Sequence, residues 1–211
     1  AIENEEKILV YGDYDADGIT STAVLYETLE MMGAQVEYYL PNRFIYGYGP
    51  NIRVFEEYLE KGVSLIITVD CGIAAHESVE WAMSQQCDVI VTDHHEIPPV
   101  LPKAYAVVHP RHPDGEYPFG DLSGAGVAFK LAHALLGELP VELAEIACIG
   151  TIADLVSLTD ENRSLVKLGL QQLNQTERIG LSYLFQELQL TPGSIDEKTI
   201  GFQVAPCLNA L

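Results

Sequence analysis

The sequence predicts an α/β fold: a parallel β-sheet with helices on both faces, followed by a helical C-terminal part. Three observations predict it. Short apolar runs alternate with amphipathic stretches through the first half of the chain, as in a buried parallel sheet with helical crossovers. Carboxylates and histidines fall just past the ends of these runs, where open parallel sheets bind their ligands. Beyond Val141 only helical periodicity remains.

Lys7–Gly12 is a short apolar run closed by glycine and reads as the first buried strand. Ile19–Met32 reads as an amphipathic helix, and Val36–Leu40 as a strand stopped by Pro41. Asn42–Pro50, with Arg43 and Gly47-Tyr-Gly49, reads as a loop, and Asn51 caps a helix to Leu59. Ser64–Val69 is a strand, Ala75–Gln85 a helix, and Asp88–Thr92 and Tyr105–Val108 further strands. Arg111–Asp121, rich in Pro and Gly, is a surface loop. Ser123 caps a helix to about Leu136. The helices Val141–Val156, Asn162–Asn174, Ile179–Leu188 and Ile195–Ala205 follow. The expected division is an α/β core at 1–138 carrying the chemistry, and a helical part at 139–211 completing it.

At 211 residues and 48% hydrophobic, the chain can bury a core for one large domain, or one domain with a small appendage. Its 31 acidic against 11 basic residues give a formal charge of −20. Nucleic-acid binders ordinarily carry a basic footprint, so a DNA substrate would need basic surface from elsewhere. Cys71, Cys87, Cys148 and Cys207 lie far apart with no CxxC pairing. That argues against a zinc ribbon or a secreted disulfide scaffold and fits free thiols in the cytoplasm. No stretch approaches the ~18 apolar residues of a membrane span, and no basic segment precedes an apolar signal core. The chain opens almost directly into its first strand and stops at Leu211 within an apolar segment, as a trimmed piece of a longer protein would.

The chemistry concentrates in four places. Asp13, Asp15 and Asp17 alternate within five residues, where like charges repel and are costly to bury unpaired. One Asp would suffice for a turn. The later ligands of an EF-hand are missing, as are the Lys and spacing of a phosphate-binding P-loop. Asp70 follows an apolar strand and reads equally well as a helix cap. Asp93-His94-His95 is harder to assign to structure alone, because adjacent histidines in extended chain point apart, one to a metal and one to a substrate. Asp154 lies inside an apolar helical pattern, either buried on a metal or on the helix's exposed face. Hard oxygens mixed with imidazole suit Mn²⁺ or a similar ion. Several carboxylates shared between two ions is the arrangement that hydrolyses phosphate esters.

These residues resemble the DHH phosphoesterases, over nearly the whole chain. Asp13-Tyr-Asp-Ala-Asp-Gly-Ile-Thr-Ser-Thr22 is similar to the first family motif, Val69-Asp-Cys-Gly-Ile73 to the second, Asp93-His-His95 to the third and Thr151-Ile-Ala-Asp-Leu155 to the fourth. Pro41-Asn-Arg43 with Gly47-Tyr-Gly49, Val108-His-Pro110, Ser123-Gly-Ala-Gly-Val127 and Ala205-Pro-Cys-Leu-Asn-Ala210 resemble segments of the branch that degrades single-stranded DNA from its 5′ end. The resemblance implies that Asp15, Asp17, Asp70, His94 and Asp154 bind two Mn²⁺ or Mg²⁺ ions, with Asp70 bridging. Asp13 would be a ligand or would orient one. It further implies that His95 faces the scissile phosphate and that Asp93 orients a neighbouring histidine. Arg43 and His109 would be substrate-side residues, although an exposed loop Arg is an equally good reading of Arg43. The amides opening the Ser123 helix, at Ser123 and Gly124, could receive an anion, or the glycines could serve close packing.

Two departures stand out. Tyr11 occupies a place where some relatives carry His, and Cys207 one where Arg is usual. The resemblance also implies DHHA1-type and OB-fold domains beyond this sequence, which would help hold the strand. A small-molecule DHH phosphatase acting on pyrophosphate, phosphoadenosine phosphate or a cyclic dinucleotide is the alternative. A scaffold that has lost its ligands is the third reading, and every principal ligand is present here.

Overall fold

A computed structural model of the chain describes residues 1–42 and 49–210. Arg43, Gly47 and Tyr48 lie outside the described residues, so the expected phosphate contact at Arg43 has no placement.

Strand β1 (Lys7–Tyr11) shows how the sheet is sandwiched. Its residues alternate between two buried faces, as the two-residue period of a strand requires. Ile8 and Val10 pack with Leu25, Leu29 and Leu131. Leu9 and Tyr11 pack with Phe55, Tyr58, Val79 and Ala82. The first face is covered by α1 (Ala16–Met31) and α4 (Gly124–Leu136), the second by α2 (Ile52–Glu60) and α3 (His76–Ser84). With β2 (Gln35–Tyr39), β3 (Val63–Val69), β4 (Asp88–Thr92) and β5 (Ala106–Val108), the sheet runs β2-β1-β3-β4-β5. All four pairings are parallel. The chain leaves β1 toward one edge and resumes at β3 toward the other. That reversal opens a crevice beyond the carboxyl ends of β1 and β3, where ligands bind in such sheets.

The helical part follows as a 3₁₀ turn (Val141–Leu143), α5 (Ala144–Ala153), α6 (Asp160–Leu173) and α7 (Ile179–Glu187). A continuous helical segment, Glu197–Leu208, then carries a π-helical centre at Ile200–Val204. Val24 of α1, Ala125 and Phe129 of α4, Leu143, Ile146 of α5 and Leu165 of α6 share one core, so packing runs straight across residue 138.

Two boundaries differ from expectation in ways that matter for the site. Helix α1 starts at Ala16, three residues before Ile19, because Asp15 caps it by accepting from the Gly18 amide. This puts Asp17 in the first helical turn. Helix α5 ends at Ala153, so Asp154 is its C-terminal cap and not an interior residue.

Candidate metal centre and active site

The crevice gathers its acidic residues from three strand ends. Past β1, Asp13 accepts from the Tyr14 amide at 2.8 Å, and a Cβ at Gly18 would lie 2.6 Å from the Asp13 backbone. Only glycine lets the first turn of α1 fold back that closely. Past β3, Asp70 adopts φ 59°, a left-handed conformation that Asp tolerates better than most residues. Past β4, buried Asp93 accepts from the amides of His94 and His95 through Oδ1 and from Ile73 through Oδ2.

These segments converge on His94. Its Nε2 lies 3.1 Å from Asp70 Oδ1, 3.7 Å from Asp154 Oδ2 and 3.8 Å from Asp17 Oδ2. Three overlapping groups each bring ligand atoms within 4.8 Å of one another: Asp13, Asp15 and Asp70; Asp70, His94 and His95; and Asp17, His94 and Asp154. The structure thus brings all six expected metal ligands into one chain of contacts, with Asp70 and His94 each common to two groups.

The helices supply what holds these ligands. Both oxygens of Asp17 accept backbone amides at the start of α4, from Gly124 at 2.7 Å and Ala125 at 2.9 Å. This corrects the expectation that Ser123 and Gly124 offer an anion seat to substrate: the helix N-terminus is already taken by the protein's own carboxylate. Ser123 is fully buried, accepts from the Gly126 amide and meets Thr151 Oγ1 at 3.1 Å. Gly124 is required for a second reason, because a Cβ there would fall on the Asp70 carboxylate. At Gly150 a Cβ would meet Asp17 and Thr20. Asn209, far along the chain, accepts the Ala16 amide at 2.7 Å and satisfies a donor of the first turn of α1.

His95 lies beside His94, their ring centroids 4.5 Å apart, but turns to a different partner. Its Nδ1 meets Asp93 Oδ1 at 2.7 Å, and its side chain is 42% exposed. It borders a cavity of about 960 Å³ that runs past Gly72, Ile73 and His76 to Asn51 and Arg53. His109, expected on the substrate side, is buried and committed to backbone. Its Nε2 meets the His95 carbonyl at 2.8 Å and its Nδ1 accepts from the Arg111 amide at 3.0 Å. The expectation for His109 is corrected accordingly: both ring nitrogens are engaged with backbone, Nε2 at the His95 carbonyl and Nδ1 at the Arg111 amide. Tyr11 is buried in the core and donates its hydroxyl to the Gly49 carbonyl.

Charge explains why so many acids can share this space only with help. Burial raises Asp13 to about 6. Burial, then the charges of Asp70 and Asp154, pushes Asp17 well above the usual carboxylate range. Burial, then Asp15, Asp93 and Asp13, does the same to Asp70, and burial raises Asp154. Asp93 goes the other way. Burial works to raise it, but the hydrogen bonds from His95 and the Ile73 amide outweigh burial and hold it down. That same bond from Asp93 raises His95. Asp70 Oδ1 and His94 Nε2 are buried 3.1 Å from each other, yet the geometry makes no hydrogen bond between them or to any other described residue. Orphaned buried donors and acceptors of this kind cost about 1–3 kcal/mol each. Carboxylate oxygens with one imidazole fit Mn²⁺ or Mg²⁺.

Ala125 and Asn209 fall in segments that resemble the family, yet the sequence assigned no role to them or to Gly150, which act through backbone amides, a partner almost the whole chain away and free space. Sequence reasoning also passed over Arg111, whose guanidinium donates to the His94 carbonyl at 2.7 Å.

Comparison with known proteins places the chain in a family. Residues 7–151 match the DHH family, N-terminal domain. Over 211 residues the chain is 56% identical to the single-stranded-DNA-specific exonuclease RecJ of Bacillus subtilis, covering 100% of this chain and 27% of that protein. A crystal structure of exonuclease RecJ bound to manganese superposes with a TM-score of 0.88 at 39% identity, covering 100% of this chain and 54% of that one. The Mn²⁺ complex of RecJ from Thermus thermophilus gives 0.81 at 38% identity, over 98% of this chain and 30% of that one.

Proposed function

The chain belongs to the DHH family, and from that membership we propose that it is the catalytic core of a 5′→3′ exonuclease. Its substrate is single-stranded DNA, it releases mononucleotides in DNA recombination and repair, and it works with two Mn²⁺ or Mg²⁺ ions. The observation that carries this reading is Asp70, shared between two groups of potential ligands at the crevice. The RecJ relatives are named for single-strand-specific exonuclease activity, and two of their crystal structures are manganese complexes.

In this reading Asp13, Asp15 and Asp70 would hold one ion and Asp17, His94 and Asp154 the other, with Asp70, 3.1 Å from His94, the candidate shared ligand. When bound, the ions supply a nucleophile from water near neutral pH and offset charge on the attacking and leaving oxygens. The protein's own groups do the rest. The amides of Gly124 and Ala125 fix both oxygens of Asp17, so that ligand cannot swing. Asp93 holds the Nδ1–H of His95 and favours its protonated form. The ring then presents Nε2–H to the scissile phosphate, where negative charge develops.

The chain spans 27% of the length of its B. subtilis relative and 39% of the Haemophilus influenzae one. We assign 1–138 and 139–211 together to the catalytic core, and strand-holding DHHA1-type and OB-fold domains to the longer protein. The basic surface that a chain of charge −20 lacks would then lie in those domains. No helix among the described residues is long and apolar enough to cross a membrane, and all four cysteines are free, which supports a cytoplasmic location. The same acidity favours the second reading, a phosphatase for pyrophosphate, phosphoadenosine phosphate or a cyclic dinucleotide.

One panel decides between them: Mn²⁺-dependent hydrolysis of 5′-phosphorylated single-stranded and duplex DNA, pyrophosphate, phosphoadenosine phosphate and a cyclic dinucleotide. Mononucleotide release from single strands alone, abolished in Asp70→Ala, is the expected result. Turnover of a small ester with DNA ignored would overturn the exonuclease assignment.

A further inference from the structure

We propose that Arg111 contacts substrate, gripping the backbone phosphate next along the strand from the scissile one. The inference rests on the nuclease reading above and adds a residue to it. Arg111 lies three residues past the end of β5, on the same side of the sheet as the metal cluster. Its backbone is pinned, since its amide donates to His109 Nδ1 at 3.0 Å. Its side chain is held at one point only, where Nη2 donates to the His94 carbonyl at 2.7 Å. The remaining guanidinium N–H groups make no hydrogen bond or ion pair among the described residues.

Arg111 is one of six described Lys and Arg residues that sit in no ion pair. With 31 acidic residues against 11 basic ones, carboxylates are abundant, and Lys61, Lys103, Lys130 and Arg178 each sit in an ion pair. Arg111 has no carboxylate within ion-pair distance among the described residues, although Asp121 lines the same cavity. The cavity measures about 300 Å³ and is formed by His94, His95, Arg111, Asp121, Val156 and Ser157. It therefore adjoins the cluster, and it shares His95 with the larger cleft at Gly72 and His76.

The stem of Arg111 is also given room. A Cβ at Gly120 would stand 2.9 Å from Arg111 Cγ, so only glycine there leaves the side chain where it is. A planar fork of donors, with one tine fixed and the others facing a cavity beside two histidines, matches phosphate oxygens. Its one fixed bond goes to a carbonyl of the DHH segment, so the fork is registered to the cluster. A single phosphate under attack would be served by the ions and His95. Arg111 stands to one side of them, at the place of a neighbouring phosphate.

The test compares substrates with and without that neighbour: bis(p-nitrophenyl) phosphate, which has one phosphate, and a 5′-phosphorylated oligothymidylate. Arg111→Ala should lower kcat/KM on the oligonucleotide by about 10- to 100-fold more than on the single diester, the scale of a charged hydrogen bond. The dependence of oligonucleotide KM on log salt should flatten by roughly 0.7, the release for one single-strand phosphate. Arg111→Lys should keep the salt slope while recovering only part of the rate. Mn²⁺ affinity, read by calorimetry without substrate, should be the same in all three proteins. Equal losses on both substrates with weakened Mn²⁺ binding would overturn the proposal and make Arg111 a support for His94. Unchanged kinetics on both would overturn it as well, while leaving the nuclease reading intact. If the unmutated chain hydrolysed neither substrate with Mn²⁺, the nuclease reading would fail and take this proposal with it.

Discussion

The two walls of the crevice are built on different principles. The sheet wall offers side chains: Asp13, Asp15, Asp70, His94 and His95 come from short segments past β1, β3 and β4. The helical wall contributes two carboxylates, Asp17 in the first turn of α1 and Asp154 at the end of α5, and otherwise backbone amides, missing side chains and a distant cap. These are Gly124 and Ala125 on Asp17, the empty space at Gly150, and Asn209 on Ala16. One wall supplies most of the ligands and the other decides where they stand. A ligand set alone does not make a site, because Asp13, Asp17 and Asp70 are buried against other carboxylates and need their geometry imposed.

The comparison breaks most sharply at the shared ligand. Asp70→Ala should abolish Mn²⁺-dependent hydrolysis, a loss of about 1,000-fold or more, since several kcal/mol of charge stabilisation goes with the metals. Calorimetry should show the Mn²⁺ stoichiometry falling. A variant that still bound two ions would remove Asp70 from the bridging position.

The helical wall should be nearly as sensitive without losing any ligand. In Gly124→Ala the new methyl falls on the Asp70 carboxylate. Overpacking of this kind costs about 1–3 kcal/mol, and the displaced ligand should lower Mn²⁺ affinity by about 100-fold. Gly126→Ala is the matched control. There the nearest atoms are Leu122 Cδ2 at 3.3 Å and Cβ at 3.4 Å, so a small shift of one side chain accommodates the methyl. If the two variants behaved alike, the close approach at Gly124 would be without consequence.

Asn209→Ala asks whether the far end of the chain helps place the first motif. Loss of the 2.7 Å bond leaves the Ala16 amide without its partner at the turn that carries Asp15 and Asp17. A group that orients metal ligands is worth about 10- to 100-fold in metal affinity. Mn²⁺ titration should show that loss with the melting temperature little changed. A fall in melting temperature at unaltered affinity would make Asn209 a purely structural tie.

These contrasts explain what the sequence could disclose. The sheet wall is legible because strand ends concentrate ligands into short motifs, and β-strand alternation fixes which residues face the crevice. The helical wall is not. Nothing local marks Gly124 as lying against Asp70, or Asn209 as meeting Ala16, since both contacts exist only after the chain has folded. The same blindness misassigned Ser123 and His109. A helix N-terminus looks open in sequence until Asp17 is seen filling it, and a histidine beside a strand end looks free until both nitrogens are seen on backbone. Asp154 was recognisable as a costly carboxylate, but not as the residue that ends α5.

Stability against pH should expose the same repulsion. Asp13, raised to about 6, and the raised Asp17, Asp70 and Asp154 all hold protons in the folded chain that the unfolded chain has released. The unfolded state therefore binds fewer protons, and stability falls as pH rises from about 4 through 6 and above. In EDTA the melting temperature should drop by several degrees, at about 2–4 °C per kcal/mol for a chain of this size, between pH 5 and pH 7. Mn²⁺ should restore it most at the higher pH, where the ligands are ionised. A metal-free melting temperature that rose over this range would contradict the burial of these charges.

The smallest effect lies one residue past the last ligand. Leu155 follows Asp154 with φ 59°, and the residue is 87% exposed. A bulky residue in the left-handed region is strained, and the position just past a helix cap is where glycine is usual. The leucine gains no burial in return. Leu155→Gly should relieve about 1 kcal/mol of backbone strain, part of it offset by the greater freedom of glycine in the unfolded chain. The net rise in melting temperature should be no more than ~2–4 °C. Asp154 keeps its amide bond to the Gly150 carbonyl in either case, so Mn²⁺ affinity should hold. If affinity fell instead, the strained turn itself would be setting the Asp154 carboxylate, and the helical wall would be using backbone strain as well as amides and space.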